Sequence, residues 1–310
     1  MPSRARFEAV GRAAMGMPPP DWPQRSASLR IRLLPHDWHV QVWPGPGTNT
    51  GPEPSDVLLL HGAGASAHSW HPLVPFLSDA RLIAPDLPGQ GFSRTQARAR
   101  LGLDGMAEDL VQLCAAQGWR PRAIVAHSAG AAVALRMAAL LPSPPAAIVG
   151  INAALGNFEG VEGWLFPLMA KAMALSPFAG TLAARLVGRP AKIARLIEGT
   201  GSSVSPAIIH SYARLAADPA HVDGTLQMMA LWQLDPLLAS LGQITTPVLL
   251  IATDRDRAVP ARISQALAPR LALGRCLLLE GLGHLAHEEA PERIAGPLRN
   301  FLSENGLMLS

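Results

Sequence analysis

The chain has 310 residues, 49% of them hydrophobic and 16% charged, so it is long and apolar enough to bury a large core. Its formal net charge is +3 and its arginines are scattered along the chain, which argues against nucleic acid as a partner. The two cysteines, Cys114 and Cys276, lie in apolar segments, where we expect buried free thiols of the kind typical of a cytoplasmic protein.

Short apolar runs alternate with longer helical patterns through the first half of the chain. Two strand patterns, at 29–34 and 38–43, predict an antiparallel start to a sheet. The patterns that follow predict strands at 57–60, 81–85, 122–126 and 146–153, and helices at 68–78, 105–118 and 129–141. Such alternation predicts an α/β fold with a mostly parallel central sheet and helices on both faces.

The alternation stops near Asn157 and resumes late in the chain. The late patterns predict strands at 247–252 and 276–280, a helix at 262–271 and a final helix after His284. The residues between the two halves carry helical patterns without a strand signal, which we interpret as a helical lid. We therefore predict a core formed by residues 1–156 and 241–310, with the lid inserted at 157–240.

A candidate nucleophile follows the predicted strand at 122–126. Ser128 lies in the sequence Ala-His-Ser-Ala-Gly, where small residues on both sides permit a tight turn from strand to helix. Ala126 stands where a glycine is usual, so the turn must accommodate one methyl group. The amide of Ala129 would lie at the N-terminus of the next helix, which makes it a candidate oxyanion-hole donor.

A second glycine-rich turn follows the predicted strand at 57–60. In the sequence His61-Gly62-Ala63-Gly64 the backbone N–H groups can point toward the carboxyl edge of the sheet, and Ala63 is our candidate for the second oxyanion donor. We expect His61 to have a structural role in orienting the turn.

Two late motifs supply candidates for an acid and a base. Asp256 follows the strand at 247–252, and its carboxylate could hold a histidine in the required tautomer. His284 follows the strand at 276–280 and could act as general base and then general acid. We favour these two over their neighbours Asp254 and His287. The spacing around His287 does not match a metal-binding motif, so we expect neither a metal nor a cofactor.

These motifs, in this order, resemble the α/β-hydrolase superfamily. The sequence Asp-Leu-Pro-Gly-Gln-Gly-Phe-Ser at 86–93 is similar to a further loop of that superfamily, with Gln90 where a histidine is often seen. The resemblance implies an α/β-hydrolase fold with a helical lid and a triad of Ser128, Asp256 and His284. It also implies hydrolysis of an ester or related acyl bond through an acyl-serine intermediate.

Several short stretches carry a narrower resemblance, to the magnesium chelatase accessory proteins of bacteriochlorophyll biosynthesis. They are FEAVGR, DWPQRSAS and WHVQ near the N-terminus, AHSAGAA at Ser128, LIEGTGS in the lid and GLGHLAHEE near the C-terminus. This resemblance implies a role in tetrapyrrole metabolism near magnesium insertion, contact with chelatase subunits, and a cytoplasmic location at the photosynthetic membrane. The chain lacks the phosphate-binding motif that an ATP-driven chelatase subunit needs.

The predicted lid is rich in bulky apolar side chains that could line a pocket for a small hydrophobic substrate such as a tetrapyrrole. The candidates are Trp164, Met169, Met229 and Trp232, with Tyr212 as a polar contact. The same helical spacing is also typical of core packing. The segment 164–178 could contact a membrane surface, although we favour a helix packed over a pocket. A catalytic hydrolase and a non-catalytic porphyrin-binding accessory protein both remain open.

Overall fold

The computed structural model describes residues 17–45, 55–156, 184 and 188–307. The strands are β1 (Ser28–Leu33), β2 (His36–Trp43), β3 (Asp56–Leu60), β4 (Arg81–Pro85), β5 (Arg94–Thr95), β6 (Pro121–His127), β7 (Ala147–Ile151), β8 (Val248–Thr253) and β9 (Gly274–Leu279). The α-helices among these residues are α1 (Leu103–Gln117), α2 (Ala129–Ala138), α3 (Pro190–Gly199), α4 (Pro206–Ala216), α5 (Pro219–Ala230), α6 (Asp235–Ser240), α7 (Arg262–Leu267), α8 (Ala286–Glu289) and α9 (Pro291–Glu304).

The strands form one sheet in the order β1-β2-β4-β3-β6-β7-β8-β9, and β5 pairs with β2. The pairs from β4 through β9 along this order are all parallel, whereas β2 is antiparallel to β1, β4 and β5. The predicted α/β class, with an antiparallel hairpin leading into a mostly parallel sheet, is therefore confirmed. All parallel strands present their carboxyl ends at one edge of the sheet.

Both faces of the sheet are buried. Alternate residues of β3 illustrate this, because Leu58 and Leu60 pack with α1 and α2 on one face while Val57 and Leu59 pack with α9 on the other. Burial on both faces explains why the central strands are continuous apolar runs in the sequence.

Prolines divide three segments where the sequence predicts single helices. The segment 68–78 forms two short 3₁₀ helices, Ala67–Trp70 and Val74–Leu77, because Pro72 and Pro75 supply no N–H for an α-helical ladder. The same cause ends α7 before Pro269 and separates α8 from α9 at Pro291.

The described part of the predicted lid contains α3 to α6 and no strand. It packs closely on the loops at the carboxyl edge of the sheet. A Cβ atom at Gly224 of α5 would lie 2.0 Å from the carbonyl oxygen of Gly89, so the two backbones are in direct contact. The Asp218 carboxylate, at the start of α5, pairs with Arg94 at 2.6 Å. The boundaries 157 and 240 remain a prediction.

The two cysteines differ in exposure, which corrects the expectation that both are buried. Cys114 lies in α1 within the core, and burial raises the pKa of its thiol to about 12. Cys276 is exposed because β9 is the last of the described strands in the sheet and, among them, pairs only with β8. Within the described ranges no helix has both the length and the apolar character needed to cross a membrane.

Eight of the ten histidines are buried, and a ninth, His71, is half-buried. Desolvation lowers the pKa of His71 and His221 to about 4, and that of His287 to about 3. Burial also lowers the pKa values of His61, His68 and His127. The folded protein therefore holds these rings neutral at pH values where an unfolded chain would protonate them.

We expect the free energy of unfolding to fall as the pH is lowered from about 7 to about 5. Unfolded histidine binds its proton near pH 6.5 but folded His71 only near pH 4, so acid favours the unfolded state. His71→Gln should reduce the pH dependence by about one proton, which is ~1.4 kcal/mol per pH unit. Urea unfolding at a series of pH values measures this slope. The control His210→Gln, at an exposed position, should leave the slope unchanged, and an equal effect of both variants would contradict the prediction.

Candidate active site

Ser128 occupies a strained turn between β6 and α2. Its backbone has φ 51° and ψ −119°, a left-handed region that non-glycine residues rarely adopt. Gly130 makes the turn possible, because a Cβ atom there would lie 2.4 Å from the carbonyl oxygen of Leu60. The methyl group of Ala126 is fully buried in the core beside α2, and its partner in β7 is Gly150. Ser128 is thus held at the carboxyl edge of the sheet.

Three predicted residues are joined by hydrogen bonds at this edge. The Nε2 atom of His284 lies 3.1 Å from Ser128 Oγ, and its Nδ1 atom lies 2.7 Å from Asp256 Oδ2. The other carboxylate oxygen of Asp256 accepts the backbone N–H groups of Ala258 and Val259 at 2.8 and 2.7 Å. Asp256 therefore accepts a hydrogen bond from the Nδ1–H group of His284, which leaves the lone pair of Nε2 free to receive the proton of the serine hydroxyl.

The two rival residues do not belong to this chain of hydrogen bonds. Asp254 is exposed, and its Oδ1 atom accepts the backbone N–H of Gly281 at 2.6 Å, so it stabilises a turn. His287 is fully buried behind the site, where its Nε2 atom lies 2.7 Å from Ser69 Oγ. The structure brings together the favoured acid and base and excludes their neighbours.

Ala63 and Ala129 offer free backbone donors beside Ser128. Both residues line the cleft beside Ser128, and within the described part of the chain neither N–H has an acceptor.

His61 sets the direction of the Ala63 N–H group. Its Nε2 atom accepts the N–H of Leu87 at 2.9 Å, so Nδ1 carries the proton and donates to the carbonyl oxygen of Gly62 at 2.7 Å. Because a trans peptide points its C=O and N–H in opposite directions, this bond orients the N–H of Ala63.

Gln90 also supports this turn, a role that sequence analysis missed. It is fully buried, and its Oε1 atom accepts the N–H of Gly64 at 2.8 Å. The sequence feature that could have indicated this role is the position of Gln90 between the glycines of the 86–93 loop, where a histidine is often seen. A long polar side chain can reach the turn from that loop, which explains how glutamine serves there.

A second group of residues holds the loop that carries His284. The Nδ2 atom of Asn152 donates to the carbonyl oxygens of Gly283 and His284, both at 3.0 Å, and Thr253 Oγ1 lies 3.0 Å from the Gly283 oxygen. His127 donates from Nε2 to the His284 carbonyl at 2.9 Å. Asn152 and Thr253 lie where β7 and β8 end, and their polar side chains in otherwise apolar runs were the only sequence signal for this role.

The site opens into a mostly apolar cleft that is partly open to solvent. Its lining comes from both the sheet edge and α5: Ala63, Ser128, Ala129, Ala154, Gly156, Met228, Met229, Trp232, Ala258, Val259, Ile263 and His284. Met229 and Trp232 therefore lie where the sequence predicts substrate contacts. Trp164 and Met169 fall outside the described residues.

Tyr212 is not among the described residues that line the cleft. Its hydroxyl donates to Glu288 Oε1 at 2.6 Å, and Ser69 Oγ donates to the same oxygen at 2.8 Å. Burial raises the pKa of Glu288 to about 7 and raises that of Tyr212 well above its usual value. A buried carboxyl needs donors, and Tyr212 provides one of them, so its hydroxyl is directed to Glu288 behind the site.

Comparisons with known proteins agree with this geometry. Residues 57–291 match the family described as alpha/beta hydrolase fold. The chain is 46% identical over 286 residues to the magnesium-chelatase 30 kDa subunit of Rhodobacter capsulatus, covering 92% of this chain and 97% of that protein. It is also 30% identical over 280 residues to the lipase LipV of Mycobacterium tuberculosis, covering 86% and 98% of the two chains.

Solved structures give the same fold. An alpha/beta hydrolase fold protein from Burkholderia ambifaria superposes with a TM-score of 0.73 at 22% identity, covering 88% of this chain and 97% of that one. The family match at residues 57–291 includes the strained turn at Ser128 and the motifs of Asp256 and His284, and it spans well over half of the chain. The chain therefore belongs to the alpha/beta hydrolase fold family.

Proposed function

We propose that the chain is a serine hydrolase that cleaves an ester or related acyl bond through an acyl-Ser128 intermediate. One observation carries the proposal, the hydrogen-bonded line from Ser128 Oγ through His284 to Asp256 at the wall of an apolar cleft. The resemblance to a lipase supports the same chemistry.

In the proposed mechanism, Ser128 Oγ attacks the acyl carbon while His284 Nε2 takes the hydroxyl proton. Asp256 stabilises the imidazolium through the Nδ1 hydrogen bond. The N–H groups of Ala63 and Ala129 bind the oxyanion of the tetrahedral intermediate. Collapse of that intermediate breaks the acyl bond, and His284 gives its proton to the leaving group. A water molecule then repeats the steps on the acyl-serine and releases the acid.

The lining of the cleft favours a substrate with an apolar group. Met228, Met229 and Trp232 come from α5 and the turn that follows it, and the lining also includes Val259, in the loop after β8, and Ile263 of α7. Methionine side chains adapt to irregular shapes, and a tryptophan offers a flat surface. We propose that the substrate is a small hydrophobic acyl compound, a class that includes tetrapyrrole esters.

Replacing the proposed nucleophile should abolish hydrolysis. We expect Ser128→Ala to lower kcat/KM for a short p-nitrophenyl ester by about 10³-fold or more, because no acyl intermediate can form. A fluorophosphonate should label the wild-type chain and not this variant, as measured by intact-mass spectrometry. Ser78→Ala, at an exposed serine, should behave as wild type. Absence of both labelling and turnover in the wild type would overturn the hydrolase proposal.

The two neighbouring aspartates provide a matched pair of variants. Asp256→Asn should lower kcat by about 10⁴-fold, because an amide favours the wrong histidine tautomer. Asp254→Asn should stay within about threefold of wild type, since that carboxylate contacts only a turn. Ester hydrolysis and circular dichroism of both variants test this difference. Similar losses in the two variants would contradict the assignment of Asp256.

A second candidate function rests on the similarity to the magnesium-chelatase 30 kDa subunit. On this alternative the chain is an accessory protein that binds a porphyrin in the cleft and contacts chelatase subunits, without hydrolysis. The sequence-based expectation of a cytoplasmic location at the photosynthetic membrane belongs to this candidate. The apolar lining around Trp232 suits a flat hydrophobic ring as well as it suits an acyl chain.

Porphyrin binding can be measured without any catalytic assay. If the second candidate is right, protoporphyrin IX should give a saturable shift of its absorbance band on addition of the wild-type chain. Trp232→Ala should weaken binding by about tenfold, because a large apolar contact is removed. Phe76→Ala, at an exposed aromatic residue away from the cleft lining, is the control. A flat titration with the wild type would exclude this candidate.

A further inference from the structure

One short segment of the helical insertion lies between the loops that carry Asp256 and His284. It is the 200–202 turn, Thr200-Gly201-Ser202, which follows α3 directly. We propose that the 200–202 turn is a positioning element that holds these two loops together for the hydrolysis proposed above, on which this inference rests. Its residues act through Asp256 and His284 and do not touch the substrate cleft.

A single carbonyl group joins the two loops. The backbone oxygen of Thr200 accepts the N–H of Arg257 at 3.1 Å and the N–H of His284 at 3.4 Å. Arg257 is the residue after Asp256, so both bonds are made at or next to the acid and the base. The loops also meet through the N–H of Arg255 and the carbonyl of Leu282 at 3.1 Å, but on the N-terminal side of Asp256. The 200–202 turn therefore links the two loops on the C-terminal side of Asp256, where the bond between Arg255 and Leu282 does not reach.

The side chain of Ser202 adds a second link to the histidine loop. Its Oγ atom accepts the N–H of Leu285, the residue after His284, at 2.8 Å. The hydroxyl oxygens of Ser202 and Thr200 lie 3.2 Å apart, and Thr200 Oγ1 also donates to the carbonyl oxygen of Ile197 at 2.6 Å. Ser202 is 3% exposed, so water cannot readily replace it as the acceptor for Leu285.

Glycines let the three backbones approach closely. Gly201 has φ 86°, and a Cβ atom there would lie 1.9 Å from the carbonyl oxygen of Arg255. A Cβ atom at Gly283 would lie 2.2 Å from the carbonyl carbon of Gly201. Side chains at either position would force the loops apart, so the contact requires glycine on both sides.

The apolar packing of the insertion extends this link. Leu285 is buried in one cluster with Ile193 and Ile197 of α3 and Ala213 of α4. The residue that follows His284 is thus part of the core of the insertion. Any shift of α3 relative to the sheet would move the histidine loop, because the loop is bonded to the turn and packed against the helix.

The neighbouring serines make a matched test. Ser202→Ala removes the acceptor of the Leu285 N–H, whereas Ser203→Ala changes an exposed side chain one position away. We expect Ser202→Ala to lower the rate of fluorophosphonate labelling of Ser128, and kcat for a short ester, by about fivefold to tenfold. KM should stay within about twofold, because the lining of the cleft is unchanged. Ser203→Ala should match wild type in all three quantities.

Hydrogen–deuterium exchange supplies a readout that needs no activity. In Ser202→Ala the peptides covering 254–259 and 281–286 should exchange faster, while those covering α1 should not change. Equal behaviour of Ser202→Ala and Ser203→Ala in labelling, kcat and exchange would overturn the inference. If the wild-type chain is inert toward ester and fluorophosphonate, the hydrolase proposal fails, and the exchange rates alone decide whether the turn holds the loops.

Discussion

The parallel pairing of β3, β6, β7, β8 and β9 is the constraint on which the site depends. Parallel strands end at one edge, so Ser128 after β6, Asp256 after β8 and His284 after β9 meet there although they are distant in sequence. The strands are buried on both faces. A register slip by one residue would move every side chain to the other packed face, so the register is fixed by how these side chains fit the helices on each face.

Hydrogen bonds from neighbouring side chains and backbone N–H groups fix the positions of the His284 loop and the Asp256 carboxylate at this edge. The carbonyl of His284 accepts bonds from both Asn152 and His127, and each oxygen of Asp256 has a donor. Such a network is costly to bury and rigid once satisfied. The backbone of Ser128 has a positive φ, a strained conformation that persists only where the surrounding structure holds it in place. The helical insertion contributes to the same edge twice, through the cleft wall at α5 and through the 200–202 turn.

Much of the fold could be predicted from sequence because its signals are local. The apolar runs of the central strands and the small residues around Ser128 are readable without any distant contact. The order of the motifs along the chain placed Asp256 and His284 as candidate partners. The helix breaks at Pro72, Pro75 and Pro291 could also be predicted locally, because proline has no N–H group. The prediction of single helices there was wrong because it rested on helical periodicity alone.

By itself, then, the sequence determined the fold class and predicted the serine turn with a late acid and base as candidate partners, since periodicity, turn chemistry and motif order can be read along the chain. Only the tertiary structure decided which side chains meet across the sheet edge. It directs Tyr212 to Glu288 instead of the cleft and gives Gln90 and Asn152 supporting roles. It also leaves Cys276 exposed on the last strand. Burial and hydrogen-bond partners depend on contacts between residues far apart in the chain, and no local pattern encodes those contacts.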